Sequence, residues 1–356
     1  LDDWALSGMA VASGGHDSVA ETSKRLSVGV LICSYQRPES LLRGLNAQAR
    51  QHRQPDDIIV VVRQDDSATL AALASRQPDG LPLRVMTVCQ PGTVHALNTG
   101  LEACRTDVLA ITDDDTVPHP DWLARINAHF LANPLLGGLG GRDWCHDGKR
   151  FDDRSAKMVG QLRWFGKTVG NHHLGVGSAR VVDFLKGANM SYRREAFAKV
   201  RFDARLRGSG AQASEDLAFS TSVKRAGWAL MFDPLVAVDH YAHRPEAPRY
   251  YSSIAVGKDL TGLYDCGHNE VVAIWPNLTP IGRAAYVPWS FLVGTGASPG
   301  IVQAIRYTPR LGFGSWRRFA AAQRGKAAGL ATIFSNGRGD RPLPGRASRA
   351  SGLSDA

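Results

Sequence analysis

Apolar positions follow two rhythms that alternate along the first third of the chain. Leu26 to Cys33, LSVGVLIC, is a nearly unbroken apolar run, and Ile58–Val62, Leu83–Val88 and Val108–Thr112 repeat it. Strands buried on both faces of a parallel sheet read this way, because neither side meets water. Between these runs the apolar residues return every three or four positions. Leu41, Leu42, Leu45 and Ala49 follow Pro38, which suits a first helical turn; Ala68, Leu70, Ala72 and Leu73 come next, then GTVHALNTGLEAC at 92–104. Four strand and helix alternations predict an α/β fold with a mainly parallel central sheet flanked by helices. Its strand ends deliver SYQR, RQDDS and TDDDT to one edge, where open α/β sheets bind ligands.

TDDDT is the sharpest of these loops. If Asp113 to Asp115 stay extended, Asp113 and Asp115 share a face about 7 Å apart while Asp114 points away. At an effective dielectric near 20 the pair repels by about 2 to 3 kcal/mol, so it needs hydration or a counter-ion. Mn²⁺ or Mg²⁺, hard cations that take oxygen ligands, would serve. The competing reading is a solvated turn that prepares the next helix.

Further along, Asp121–Asn133 predicts a helix with Trp122, Ile126, Phe130 and Leu131 on its apolar side, and Leu135–Gly141 a short strand. Arg142–Arg180 has no clean period but holds Trp144, Trp164, His172 and His173, as a binding loop would. The adjacent histidines diverge and have no third partner at zinc spacing. Val181–Leu185 reads as a strand feeding KGANMSYRREAF, with Gly187 allowing close backbone approach and Arg193–Val200 helical. Ser214 is placed to cap a helix with Glu215 and Asp216 in its first turn, Leu217, Val223 and Ala226 inward, and Gly227 as the stop. Acids in a first turn are also explained by the helix dipole alone. Ala229–Phe232 and Val236–Asp239 predict short strands ending at His240 and His243. Helical patterns follow around Tyr250–Leu263 and Ile281–Ile305, and a basic helix with a loosely apolar side over Tyr307–Phe334.

Length and composition, 356 residues with 44% hydrophobic content, allow a substantial core. Five cysteines without a CxxC pair suit reduced thiols, and no apolar stretch reaches 18 residues, so a cytoplasmic protein is expected. The net charge is +9; from Ile301 onward ten Lys and Arg stand against two Asp, a surplus of +8. Such a region could lie on an anionic membrane, each basic residue contributing about 1 kcal/mol. No recognised nucleic-acid module accompanies it, so no nucleic-acid partner is expected.

Seven segments in this order, SYQRP, RQDDS, GTVHALNTGLEAC, TDDDT, KGANMSYRREAF, SEDLAF and VDHYAH, resemble the family 2 glycosyltransferases from about Ser27 to His240. The resemblance implies a GT-A fold and an inverting, metal-dependent transfer of a sugar from a nucleotide diphosphate donor to the hydroxyl of a glycan or lipid-linked glycan. Asp113 and Asp115 would be the Asp-x-Asp metal pair, with His240 an added ligand. Ser34, Tyr35, Arg37 and Asp114, with Arg63, Asp65 and Asp66, would contact the donor; Val62, Arg63 and Gln64 intervene where the family often has two acids directly after the second strand, leaving open which aspartate meets the base. His95 and Asn98 are donor-side candidates, with loop bracing the alternative for Asn98. Asn189 would lie near the donor sugar, or else satisfy buried backbone. Asp216, beside Glu215, would be the catalytic base, although a helix N-terminus makes an anion a poorer base.

KRAGW stands where processive synthases of this superfamily carry Gln-x-x-Arg-Trp, which implies one sugar per encounter. The expected organisation is an extension at 1–25, a catalytic domain at 26–245 (donor half 26–117, acceptor half 118–245), a C-terminal helical region at 246–335 that could sit at the inner membrane face, and a disordered basic tail at 336–356. Two other classes fit less well. A sugar-phosphate nucleotidyltransferase would have a Gly-rich loop where SYQRP stands, and a non-catalytic sugar-binding scaffold would release no nucleoside diphosphate.

Overall fold

The computed structural model describes residues 25–76, 78, 80–241 and 260–336. The expected extension at 1–25 (apart from Arg25), the helical pattern from Tyr250 to Asp259, His243 and the tail beyond Asn336 lie outside the described residues. Strands β1 (Val28–Ser34), β2 (Asp57–Arg63), β3 (Leu83–Val88) and β4 (Val108–Asp113) alternate with helices α1 (Pro38–Ala49), α2 (Ser67–Arg76) and α3 (Thr93–Ala103). All four strands are parallel, in the order β3-β2-β1-β4. Their side chains alternate between two cores, as strand geometry demands. Val30, Ile32, Val60 and Val62 face α1, α2 and the later α4 (Trp122–Ala132), whereas Leu31, Ile59, Val61 and Ile111 face α3 and α5 (Glu215–Arg225). On α4, Trp122, Ile126 and Phe130 are buried as expected, but Leu131 is exposed because Leu123 takes the inward place.

The sheet continues differently from the expectation. After β5 (Thr116–Pro118) and β6 (Leu136–Cys145), the next long strand is not Val181–Leu185, of which only Arg180–Val181 pairs as the two-residue β9. Gln161–Leu162 and Thr168–Val169, here β7 and β8, form a hairpin of their own. The long strand is β10 (Asn189–Arg193), which slots antiparallel between β4 and β6. The helix expected at Arg193–Val200 is a 3-10 turn over Arg194–Phe197. Ala229–Phe232 and Val236–Asp239 belong to a single strand, β11 (Ala229–His240), whose pairing with β6 slips between Asp233 and Val238. Gly141 sits beside this slip: a Cβ there would lie 1.6 Å from Val236 O and 2.7 Å from Asn189 Nδ2, so only glycine lets the strands meet.

Arg142–Arg180 is ordered and anchored. Arg142 stacks over Trp144 at 3.4 Å and donates to the carbonyls of His173 and Arg154. His172 is 3% exposed, packs against Phe184 and Phe232, and donates from Nε2 to Phe184 O at 3.0 Å. It is a core residue, whose pKa burial lowers to about 4.

Beyond the gap come α6 (Leu260–Ile274), α7 (Pro280–Leu292), α8 (Ile301–Leu311) and α9 (Gly314–Asn336). Val271, Ile274, Leu278 and Tyr286 join the core shared with α5, so these helices pack on the sheet. The helix expected over Ile281–Ile305 is broken by a turn at 293–300, and the basic helix over Tyr307–Phe334 is split at Gly312. Two of its basic residues are buried: Arg318 is 5% exposed, and Lys326 donates to Ser290 O and Ser298 O at 2.7 and 3.2 Å. No helix among the described residues is long and apolar enough to cross a membrane.

Candidate active site

The C-terminal ends of β1 and β4 and the far end of β11 converge on the aspartate loop. Asp113 ends β4, but Asp114 and Asp115 are not extended; they form a tight turn between β4 and β5, fixed by Thr116 Oγ1 donating to Asp113 O at 2.8 Å and by a Thr112–Thr116 hydroxyl contact of 2.7 Å. β5 then pairs with β11, setting His240 opposite Thr116, and Tyr241 N–H donates to Asp115 O. The turn, rather than strand alternation, brings Asp113 and Asp115 to a common neighbour. His240 Nε2 lies 3.2 Å from Asp115 Oδ1 and 3.9 Å from Asp113 Oδ2. One ligand atom from each of Asp113, Asp115 and His240 falls within 4.8 Å of the others. Asp114 turns away as expected, accepting from Ser34 Oγ at 2.7 Å and Arg37 Nη1 at 2.8 Å; the same Arg37 nitrogen reaches Asp115 Oδ2 at 3.0 Å. Ser34, Arg37 and Asp114 therefore brace the loop.

The electrostatics suit a cation. Asp113 keeps half of its side chain exposed, yet partial desolvation and the Asp115 charge raise its pKa, and burial raises Asp114 to about 7 against the pull of Arg37. Burial opposes ionisation of Asp115 too, but His240 and Arg37 hold its pKa below the usual carboxylate value. Asp115 Oδ1 is fully buried, with His240 Nε2 at 3.2 Å. A buried anionic oxygen of this kind is costly unless a cation meets it. On the opposite side of the imidazole, His240 Nδ1 lies 3.3 Å from Asp143 Oδ2. Donation there fixes the ring so that Nε2 faces Asp113 and Asp115; against the effect of burial, the Asp115 and Asp143 contacts raise the His240 pKa, so Nε2 carries a proton that a bound metal ion would replace. The Asp/Asp/His set thus fits a divalent ion.

Asp143 was not singled out by the sequence. It is fully buried near the end of β6 and also pairs with Lys186. Burial would raise its pKa, but Lys186 and His240 hold it far below the usual range. Its only sequence signal is position: RDW extends the apolar strand GGLGG, so the acid enters a buried register. Lys186 leads into the turn that presents Gly187. Gly187 N–H donates to Asp216 Oδ2 at 3.2 Å, and Leu217 N–H to Asp216 Oδ1 at 2.7 Å. No tight backbone approach requires this glycine, since a Cβ would meet only Glu215 Oε1 at 3.7 Å.

Glu215 and Asp216 open α5 as expected, but Ser214 does not cap it. Ser214 takes a left-handed φ of 71° and its hydroxyl makes no capping bond. Leu217 and Val223 face inward; Ala226 is exposed, because the helix already ends at Arg225. Burial raises the pKa of both acids, and Asp216 and Asp113 raise Glu215 further. Desolvation thus offsets the acidifying helix terminus. Contacts run from His240 to Asp143, from Asp143 to Lys186 and from the adjoining Gly187 N–H to Asp216, and so place the α5 N-terminus beside the aspartate loop.

The remaining candidates divide. Tyr35, Arg63 and Asp65 form one accessible group: Arg63 lies 3.9 Å over the Tyr35 ring, donates to its hydroxyl at 2.6 Å and pairs with Asp65. Asp66 is buried, accepting from Thr69 N–H and from the backbone of left-handed Gln36, so it shapes the loop. Asn189, expected beside the donor sugar, is 1% exposed. Its amide is spent on Trp122 Nε1, Val236 O and Arg142 O, so it clasps β6, β10 and β11. Asn98 exchanges two 2.9 Å bonds with the backbone of Phe202, the bracing alternative. His95 and Asn98 line a separate cleft of about 420 Å³ with Thr87, Cys89 and Glu102, at the β3 edge.

Residues 25–254 match the family described as glycosyltransferase like family 2. The chain belongs to glycosyltransferase family 2. This family 2 glycosyltransferase is 29% identical over 126 residues, 35% of its length and 47% of the relative's, to the amylovoran biosynthesis glycosyltransferase AmsE of Erwinia amylovora. It is 24% identical over 190 residues, 49% of its length and 55% of the relative's, to the glucosyl-dolichyl phosphate glucuronosyltransferase of Haloferax volcanii. The chain thus spans about half the length of the curated relatives it matches. Among solved structures, GalNAc-T7 with UDP, GalNAc and Mn²⁺ aligns with a TM-score of 0.52 at 15% identity, over 90% of this chain and 59% of that one. The likeness is one of fold, and the fold of this family 2 glycosyltransferase is GT-A.

Proposed function

We propose that the protein transfers a sugar, with inversion, from a nucleotide diphosphate donor to a hydroxyl of a glycan or lipid-linked glycan. The observation that carries this is the Asp113, Asp115 and His240 cluster, with its buried carboxylate oxygen, set beside the acids that open α5. Asp113, Asp115 and His240 would hold Mn²⁺ or Mg²⁺, which when bound neutralises charge on the leaving diphosphate. Tyr35 and Arg63 offer a flat, cationic platform at the rim for the nucleoside, with Asp65 the aspartate accessible to the base. Asp216, raised in pKa by its surroundings yet held in place by two backbone donors, takes the acceptor proton as that oxygen attacks the anomeric carbon. Lys186 keeps the adjoining turn in register through Asp143.

The test pairs calorimetry with a nucleoside diphosphate release assay. Asp113→Ala should lose Mn²⁺-dependent donor binding, and unchanged affinity removes Asp113 from the site. Asp216→Asn should bind donor normally and lose turnover by about 10² to 10⁴; near-normal turnover with a silent Glu215→Gln moves the base to neither acid. Donor binding by the unaltered protein without any diphosphate release would mark a scaffold.

A further inference from the structure

Helix α7 is amphipathic the wrong way round for a water-facing helix. Its inward positions are Gly282, Tyr286 and Ser290, all buried, while Ile281, Val287 and Phe291 point outward with 75%, 46% and 45% exposure. Leu292 and Val293 extend the exposed stripe. Single exposed apolar residues are ordinary, but a continuous outward stripe is not. It continues onto neighbouring elements. Phe291 meets Phe319 of α9 at 5.5 Å, and Phe319 meets the exposed Trp316 at 6.2 Å. Trp164, 65% exposed at the tip of the β7–β8 hairpin, sits next to Phe165, whose ring packs on Trp289 of α7. Helix α8 buries only Ala304; Val302 and Ile305 form one exposed row and Arg306 and Arg310 the adjacent one, followed by Phe313 at 79% exposure.

Charge indicates what this surface meets. From Val271 to Gly339 the sequence contains no Asp or Glu, while eight Lys and Arg fall in it. Among the described residues Arg306, Arg310 and Arg317 flank the apolar stripe and are exposed. An apolar face bordered by arginines and free of acids matches the interface of an anionic bilayer, with tryptophan at its margin. The residues after Asn336 are a poor cover, since they hold two leucines and no aromatic.

We propose that α7, α8 and the start of α9, with the tip of the β7–β8 hairpin, form a docking face for anionic lipid membranes. It runs along the outer side of α7 and α8 and stops in the first turns of α9, whose Arg318 and Lys326 are turned inward. Vesicle binding needs neither donor nor acceptor, so this surface is tested apart from the transfer chemistry.

The experiment is flotation of the full chain with vesicles of phosphatidylcholine alone, or with about one third phosphatidylglycerol, at low and raised salt. The expected result is capture by the anionic vesicles, weakened by salt. The triple variant R306Q/R310Q/R317Q should lower the partition coefficient about a hundredfold, since each Arg near such a surface is worth about fivefold. I281S/F291S/I305S should lose capture by a comparable factor. All six side chains are at least partly exposed, and circular dichroism checks each variant's fold; V302S/F313S provides a second apolar test. Indifference to both sets of substitutions overturns the proposal, as does failure to float with either vesicle. So does a lipid-free dimer that I281S/F291S/I305S dissociates, which would make the face an interface between two copies.

Discussion

Replacing Asp143 by asparagine should damage stability and metal affinity together. The carboxylate is 1% exposed, pairs with Lys186 and accepts from His240 Nδ1 at 3.3 Å. Asparagine keeps the shape and one acceptor oxygen but removes the charge. Each charge-assisted bond is worth about 1.5 to 3 kcal/mol, and breaking a buried ion pair costs about 3 to 5 kcal/mol. Lys186 keeps 32% side-chain exposure and can recover some hydration, which places the expected loss near the lower end, at about 3 kcal/mol. Without the anion behind it, His240 is no longer held with Nε2 toward Asp113 and Asp115, and loss of such a supporting carboxylate typically weakens metal binding about 10- to 100-fold. Urea unfolding of Asp143→Asn, together with Mn²⁺ titration by calorimetry, reads both. A variant within about 0.5 kcal/mol of the unaltered protein that binds Mn²⁺ equally well would refute the role given to Asp143.

Two further outcomes concern the scaffold. His172 is neutral in its buried site with a pKa near 4, against about 6.5 when unfolded, so the unfolded chain takes up its proton first on acidification. Its contribution to stability is intact above pH 6.5 and is lost as pH falls toward 4; urea unfolding should show the unaltered protein losing about 2 kcal/mol more than His172→Gln between pH 7 and 5. Gly141→Ala should cost about 3 kcal/mol or more, since its Cβ would sit 1.6 Å from a carbonyl oxygen, whereas Gly187→Ala, with its closest neighbour at 3.7 Å, should change stability by less than about 1 kcal/mol. Equal losses in the two unfolding curves would contradict the glycine assignments.

The first four strands were legible because a strand buried on both faces leaves no room for polar residues, and Leu31, Val60 and Ile111 advertise that directly. β10 was hidden because its register buries polar side chains. Ser191 is wholly buried, and Arg193 is spent on the carbonyls of Leu136, Phe130 and Asn133, so an alternation meant for solvent is directed into the protein. β11 looked like two strands because its pairing slips at Asp233, where His129 and the Leu235 N–H hold the carboxylate. At the site, the aspartate loop and the acids opening α5 could be singled out by composition and order. The division of labour within them could not. Asp65 and Asp66 are neighbours in sequence, yet one meets Arg63 at the rim and the other is a buried brace, a difference set by the left-handed turn at Gln36. Lys186 and Asp143 escaped notice because 43 residues separate partners that only the folded sheet brings together.

The insertion of β10 between β4 and β6 imposes an order on synthesis. β4 ends at Asp113 and its eventual neighbour begins at Asn189, so about 75 residues must leave the ribosome before that edge is covered. At roughly 5 to 20 residues per second this lasts on the order of 4 to 15 s, during which the parallel sheet is open at β4 as well as at its permanent β3 edge. Nascent chains stalled within that window would be the ones most in need of a chaperone.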